Sequence, residues 1–133
     1  LHITATRLNH CGVTCLGYRV EAGGRSIAYL PDVEYLEEAH REQVVAMVQG
    51  VDLLFHDAML TAEEYPSHRG SGHCSIDDGI GVAGRAGVGR LVLFGHHPDR
   101  SDTEIDQILA ACSGNGLQVD AAREGSEYTL QED

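Results

Sequence analysis

The chain has 133 residues, of which 42% are hydrophobic and 23% charged, which suits one folded unit and not a disordered tract. Nine basic residues, all Arg, face 21 Asp and Glu; the formal charge of −12, with Arg scattered from Arg7 to Arg123, argues against nucleic acid and anionic lipid as partners. No stretch approaches the ~20 apolar residues that a membrane span needs.

Ile3 to Leu8 alternates and is β-branched, which predicts a strand and not a signal peptide. Because Leu1 is not Met, the chain is expected to begin inside a longer sequence. Asn9 to Thr14 reads as a loop. Leu16 to Glu21 and Ser26 to Leu30 read as strands joined by Ala22-Gly23-Gly24-Arg25, where Gly-Gly supplies the positive φ angles of a tight hairpin. Pro31-Asp32 stops the second of them. Glu34 to Gln49 places Leu36, Ala39, Val44, Met47 and Val48 near helical spacing, with Gly50 as a stop.

Val51 to Phe55 is a short apolar run, predicted as a buried strand with His56 and Asp57 at its end. Thr61 to Tyr65 reads as a helical turn and Pro66 to Gly72 as a polar loop. Ser75 is an N-cap, followed by Asp77 and Asp78 in the first turn of a helix reaching about Ala86. Gly79, Gly81 and Gly84 each cost that helix ~1 kcal/mol against Ala, which predicts close packing on a sheet. Leu91 to Phe94 is a second buried strand, followed by Gly95-His96-His97-Pro98-Asp99. Ser101 caps a helix from about Asp102 to Cys112, and Leu117 to Ala121 and Glu127 to Leu130 read as short strands. Strands first, then alternating helix and strand, give an α/β class.

Four Cys are present, and only Cys11 and Cys15 are close in sequence, so four free thiols in a reducing cytoplasm are expected. A thiol-based redox role for Cys11 and Cys15 lacks both a C-x-x-C and a neighbouring basic residue. The eight His carry more. His10, Asp32, His56-Asp57, His73 and His96-His97 all fall in loops or at strand ends, where α/β folds place ligands and catalytic groups. Imidazole and carboxylate suit zinc, iron and manganese. Each residue also has a plain reading: His10 and His73 as solvated loop histidines, Asp32 as a helix cap, His56 and Asp57 as core and surface residues. His2, His40 and His68 read as surface residues. Spacing alone does not choose, since no H-x-H-x-D-H or H-E-x-x-H occurs.

The motifs in order do choose. Leu8 to Glu21 (LNHCGVTCLGYRVE), Ser26 to Glu34 (SIAYLPDVE), Asp52 to Leu60 (DLLFHDAML), Gly72 to Asp102 (GHCSIDDGIGVAGRAGVGRLVLFGHHPDRSD) and Ala121 to Leu130 (AAREGSEYTL) resemble successive motifs of metallo-β-lactamase-superfamily phosphodiesterases, the branch that includes ribonuclease Z. The resemblance implies half of an αβ/βα sandwich: a mixed sheet with helices on one face, residues 1–133 forming one unit from the C-terminal part of the domain. It implies a divalent metal cofactor, two Zn with Mn or Fe as alternatives. His10 matches a ligand of one ion, Asp32 the carboxylate that bridges both, and His73 a residue near the leaving group. The last motif supplies a His to the second ion; Gly95 stands in its usual place, so His96 or His97 substitutes or that site is degraded. The H-x-H-x-D-H motif of the family is absent from the chain.

The expected function is metal-dependent hydrolysis, with metal-bound hydroxide attacking a small phosphodiester or ester, and low activity for this chain alone. The alternative is a non-catalytic, degenerate interaction module. An apolar sheet face is expected to need cover, either from the missing N-terminal half or from a second copy.

Overall fold

The computed structural model describes residues 1–114 and 116–130. Strand β1 (His2–His10) turns directly into β2 (Val13–Ala22), and β2 into β3 (Arg25–Leu30). Both turns have two residues. Cys11 and Gly12 take φ of 48° and 73°, and Gly23 and Gly24 take 57° and 74°. Positive φ at both central residues matches the twist of paired strands. The expected Asn9 to Thr14 loop therefore contracts to two residues, and His10 becomes the last residue of a strand.

Four helices and three further strands follow: α1 (Glu38–Met47), β4 (Leu53–Asp57), α2 (Tyr65–His68), α3 (Ile76–Ala86), β5 (Arg90–Phe94), α4 (Asp102–Cys112) and β6 (Gln118–Ala121). The sheet runs β1-β2-β3-β4-β5-β6, antiparallel across its first two pairings and parallel across the rest. This is the mixed α/β sheet expected from the sequence.

The register separates two faces. Ala28, Leu54, Leu91 and Val119 lie in one row and Leu30, His56, Leu93 and Ala121 in the next. These rows form one core with Val44 and Val48 of the α1 region, Val82, Ala83 and Ala86 of α3, and Cys112 of α4. The helices thus cover one face. The other face presents Tyr18, Tyr29, Phe55 and Val92 in register. Tyr29 packs edge-on against Phe94 at 5.4 Å, and Tyr128 against Phe55 at 5.4 Å. Ile3, Leu16, Tyr18 and Tyr29 on the antiparallel side of this face remain exposed.

Four expectations need correction. Helix α1 begins at Glu38, not Glu34, because Val33, Glu34 and Tyr35 are drawn inward and buried. Asp32 is therefore no helix cap. The turn near Thr61 is longer than expected: Thr61 and Glu64 exchange side chain and backbone hydrogen bonds, and the coil continues through Tyr65–His68 with Pro66 in its first turn, where proline loses nothing. Residues 127–130 form no strand; Tyr128 serves as a lid on Phe55. Of the three α3 glycines only Gly79 touches the sheet: a Cβ there would lie 2.9 Å from His56 Nδ1, whereas Gly81 and Gly84 face open space. Ser75 and Ser101 cap α3 and α4 as expected, each in a reciprocal capping box, with Asp78 and Glu104.

His56 is a core residue. Its Nδ1–H donates to the Asp57 carbonyl at 2.8 Å, and its Nε2 accepts from the Tyr35 hydroxyl at 2.7 Å. Complete burial pushes its pKa down from 6.5 to about 4. The unfolded chain therefore binds one more proton than the folded chain between those values, and stability falls as pH drops. Unfolding free energies from urea titration should be flat above pH 6.5 with respect to this residue and decline toward pH 4, by on the order of 3 kcal/mol in total. In a His56→Gln variant that slope should be absent.

Candidate metal centre

His10 ends β1, Asp32 follows β3, and His73 precedes the N-cap of α3. Parallel pairing of β3 with β4 and β4 with β5 brings those strand exits to one edge of the sheet, and the first hairpin folds back to the same edge. One donor atom each from His10, Asp32 and His73 lies within 4.8 Å of the others, the single such metal-competent group among the described residues. The two imidazoles meet edge to face, with centroids 5.0 Å apart. His73 Nδ1 lies 3.9 Å from Asp32 Oδ1; the Asp32 side chain is 44% exposed and that of His73 14%, so the group opens to solvent on the aspartate side.

Each histidine is oriented from behind. The His10 Nδ1–H donates to the Gly72 carbonyl at 2.8 Å, and the His73 Nδ1–H donates to Asp57 Oδ2 at 2.7 Å. Both rings therefore keep their lone pair on Nε2. Carbonyl and carboxylate partners of this kind accompany metal-binding histidines, fixing tautomer and ring angle. His10 and Asp32 offer imidazole nitrogen and carboxylate oxygen, the donor types that zinc takes, with the His73 imidazole beside them. The residues fit a divalent ion.

Asp57, marked in the sequence as a strand-end residue beside His56 but given no role at the site, lies directly behind His73. Its side chain is 1% exposed. Oδ2 accepts from the Val33 N–H at 3.1 Å besides His73, and Oδ1 from the Met59 N–H at 3.0 Å. Burial pushes its carboxyl up, and the Met59 amide, His73 and the Val33 amide work against that. Its sequence signal was only its place after a buried run. Asp32 acts on its surroundings too. Burial raises the pKa of Cys15 and of Tyr29, and the negative charge of Asp32 raises both further.

His96 and His97 stand outside this group. Gly95 takes φ of +68° as β5 ends, so the two histidines leave the strand. His97 Nδ1 accepts from the Asp99 amide at 3.2 Å. Both ring nitrogens of His96 are enclosed without a hydrogen-bond partner, and burial together with the Arg100 guanidinium lowers its pKa. His40, expected at the surface, is half-buried against Tyr35, with ring centroids 5.9 Å apart.

The chain is similar to known proteins in sequence and in fold. The beta-lactamase superfamily domain matches residues 1–97. A ribonuclease Z from Porphyromonas gingivalis is 33% identical over 76 residues, which is 57% of this chain and 23% of that protein. The metallo-beta-lactamase fold protein YhfI from Bacillus subtilis superposes with a TM-score of 0.74 at 22% identity, covering 93% of this chain and 47% of that one. The short form of human tRNase Z superposes with a TM-score of 0.72 at 22% identity, covering 98% of this chain and 42% of that one. The chain thus spans about a quarter of the ribonuclease relative's length and less than half of either solved structure.

An Asp57→Asn variant isolates the buried carboxylate. An amide has one acceptor oxygen, so at least one of the Val33, Met59 and His73 donors meets an NH₂ group. Urea unfolding should show a loss of about 1–3 kcal/mol. Imidazole NMR should show the Nδ1–H form of His73 less strongly favoured, because a neutral amide oxygen is a weaker acceptor than the carboxylate.

Proposed function

We propose, from the premise that this chain belongs to the beta-lactamase superfamily domain family, that it supplies part of the active centre of a metal-dependent phosphodiesterase. The observation that carries this is the convergence of His10, Asp32 and His73, each histidine already turned by a partner that leaves Nε2 available.

His10 and Asp32 hold the ion in this reading. When bound, a divalent ion supplies Lewis acidity, which acidifies water and offsets charge developing on phosphoryl oxygens. Zinc suits the donor set, with manganese and iron as alternatives. His73 serves as the proton donor to the departing alkoxide from Nε2. Asp57 accepts from its Nδ1–H and fixes the ring, and the proton given up from Nε2 is first taken from solvent. Of the two histidines after β5, His96 is the better candidate for a second ion, because its ring nitrogens have no partner while His97 is already engaged.

The substrate is a small phosphodiester or ester. A net charge of −12 disfavours a long polyanion, although relatives carry ribonuclease names. The four unpaired thiols support a reducing, cytoplasmic setting. One observation favours the second reading, a degenerate interaction module: Gly95 and the divergence of His96 and His97 leave the second ion without an assembled ligand set.

The test separates ligands from the proton donor in the full protein that carries this chain. Bound zinc, measured by elemental analysis, should fall at least tenfold in His10→Ala and Asp32→Ala and be retained in His73→Ala. His73→Ala should hydrolyse a 4-nitrophenyl diester, with its good leaving group, far better than an alkyl diester. Equal metal in all three variants and the wild type would count decisively against these roles.

A partner belongs to the same proposal. The exposed row of Ile3, Leu16, Tyr18 and Tyr29 is covered by further chain of the same protein or by a second copy. Sedimentation of residues 1–133 alone should show mass rising with concentration; a monomer at every concentration would refute it.

A further inference from the structure

We infer that Glu34 is a positioning residue for His10, acting through the backbone of Gly70 and Gly72; the inference builds on the reading of His10 as a ligand. Glu34 is fully buried. Its Oε1 accepts from the Tyr65 hydroxyl at 3.0 Å and the Gly70 N–H at 2.7 Å, and its Oε2 accepts from the Gly72 N–H at 2.9 Å. None of these three donors is a cation. A carboxylate enclosed with only neutral donors is an expensive way to fill space, so what it organises matters.

It organises both sides of one contact. The gripped loop presents the Gly72 carbonyl to His10 Nδ1 at 2.8 Å. On the other side, the Glu34 N–H donates to the carbonyl of Asn9 at 2.8 Å, and the Glu34 carbonyl accepts from Asn9 Nδ2 at 3.3 Å. Asn9 is the residue before His10. One residue therefore holds the backbone that carries the imidazole and the loop that supplies its acceptor.

The fit is tight enough for small displacements to count. A Cβ on Gly72 would lie 2.4 Å from His10 Nδ1, and Gly72 has φ of +96°, a conformation that favours glycine. The chemistry also requires a carboxylate. Gly70 and Gly72 approach different oxygens of Glu34, and both approach as donors. Glutamine has the same shape but one acceptor oxygen, so one glycine amide would face an NH₂ group and move away. With the Gly72 carbonyl displaced, nothing on that side selects the His10 Nδ1–H tautomer, and the lone pair is shared between the two ring nitrogens.

The experiment has two readouts. Imidazole nitrogen NMR of the metal-free protein near neutral pH reports the His10 tautomer. Competition with a chromophoric chelator reports zinc affinity. The wild type should show Nδ1–H at His10. Glu34→Gln should show a mixture of tautomers and bind zinc about 10- to 100-fold more weakly, the range for loss of an outer partner. An Nε2–H tautomer in the wild type overturns the inference, as does a Glu34→Gln protein with unaltered tautomer and affinity. If Glu34→Gln does not fold, Tyr65→Phe removes one donor from Glu34 and leaves the backbone intact: weaker zinc binding with a shifted tautomer balance supports the inference, and no change in either overturns it. Because the tautomer is read without metal, a wild type that binds no zinc would sink the functional reading alone.

Discussion

The carboxylate of Asp57 ties together three segments at the end of the sheet. It ends β4, accepts from Val33 just after β3 and from Met59 just after itself, and receives His73 from the approach to α3. Parallel strands leave their amides unpaired where the sheet stops, and buried amides need acceptors. One buried side chain answers two of them and uses its remaining capacity to aim an imidazole. The edge of the sheet and the candidate centre are stabilised by the same group, so neither can be altered without the other.

Glu34 repeats the arrangement on the His10 side. Both carboxylates are enclosed, both are satisfied largely by backbone amides, and each leads to one histidine, directly in the case of Asp57 and through the Gly72 carbonyl in the case of Glu34. Asp32 differs: its side chain is nearly half exposed, and it meets solvent. The centre is thus rigid behind the rings and open in front, as a site that must admit a ligand requires.

Most of the frame was legible because local chemistry and tertiary structure agree there. Ser75 and Ser101 with an acidic residue three positions on are capping boxes in both sequence and structure. Gly23-Gly24 is a tight turn, and the apolar runs at Leu53–Asp57 and Arg90–Phe94 are buried strands. Legibility failed where a distant partner decides the outcome. Glu34 looks like the first residue of a helix, but the glycine amides thirty-six and thirty-eight positions later pull it inside. Asp57 looks like the surface half of an alternating pair until Val33 and His73 are seen beside it. At the site, His10, Asp32 and His73 were marked by position and by family likeness together, while the adjacent His96 and His97 could not be placed, because a glycine with positive φ precedes them.

The strand order also bears on assembly. From His2 to Leu30 the sheet is a meander closed by two-residue turns, so those pairings need little loop-closure entropy and can form early. Every later strand waits for a crossover through a helix. His10 is therefore carried on the fast part of the molecule, and Asp57 and His73 arrive on the slow part. Completion of the centre therefore waits for the helical crossovers, whatever the speed of the hairpins.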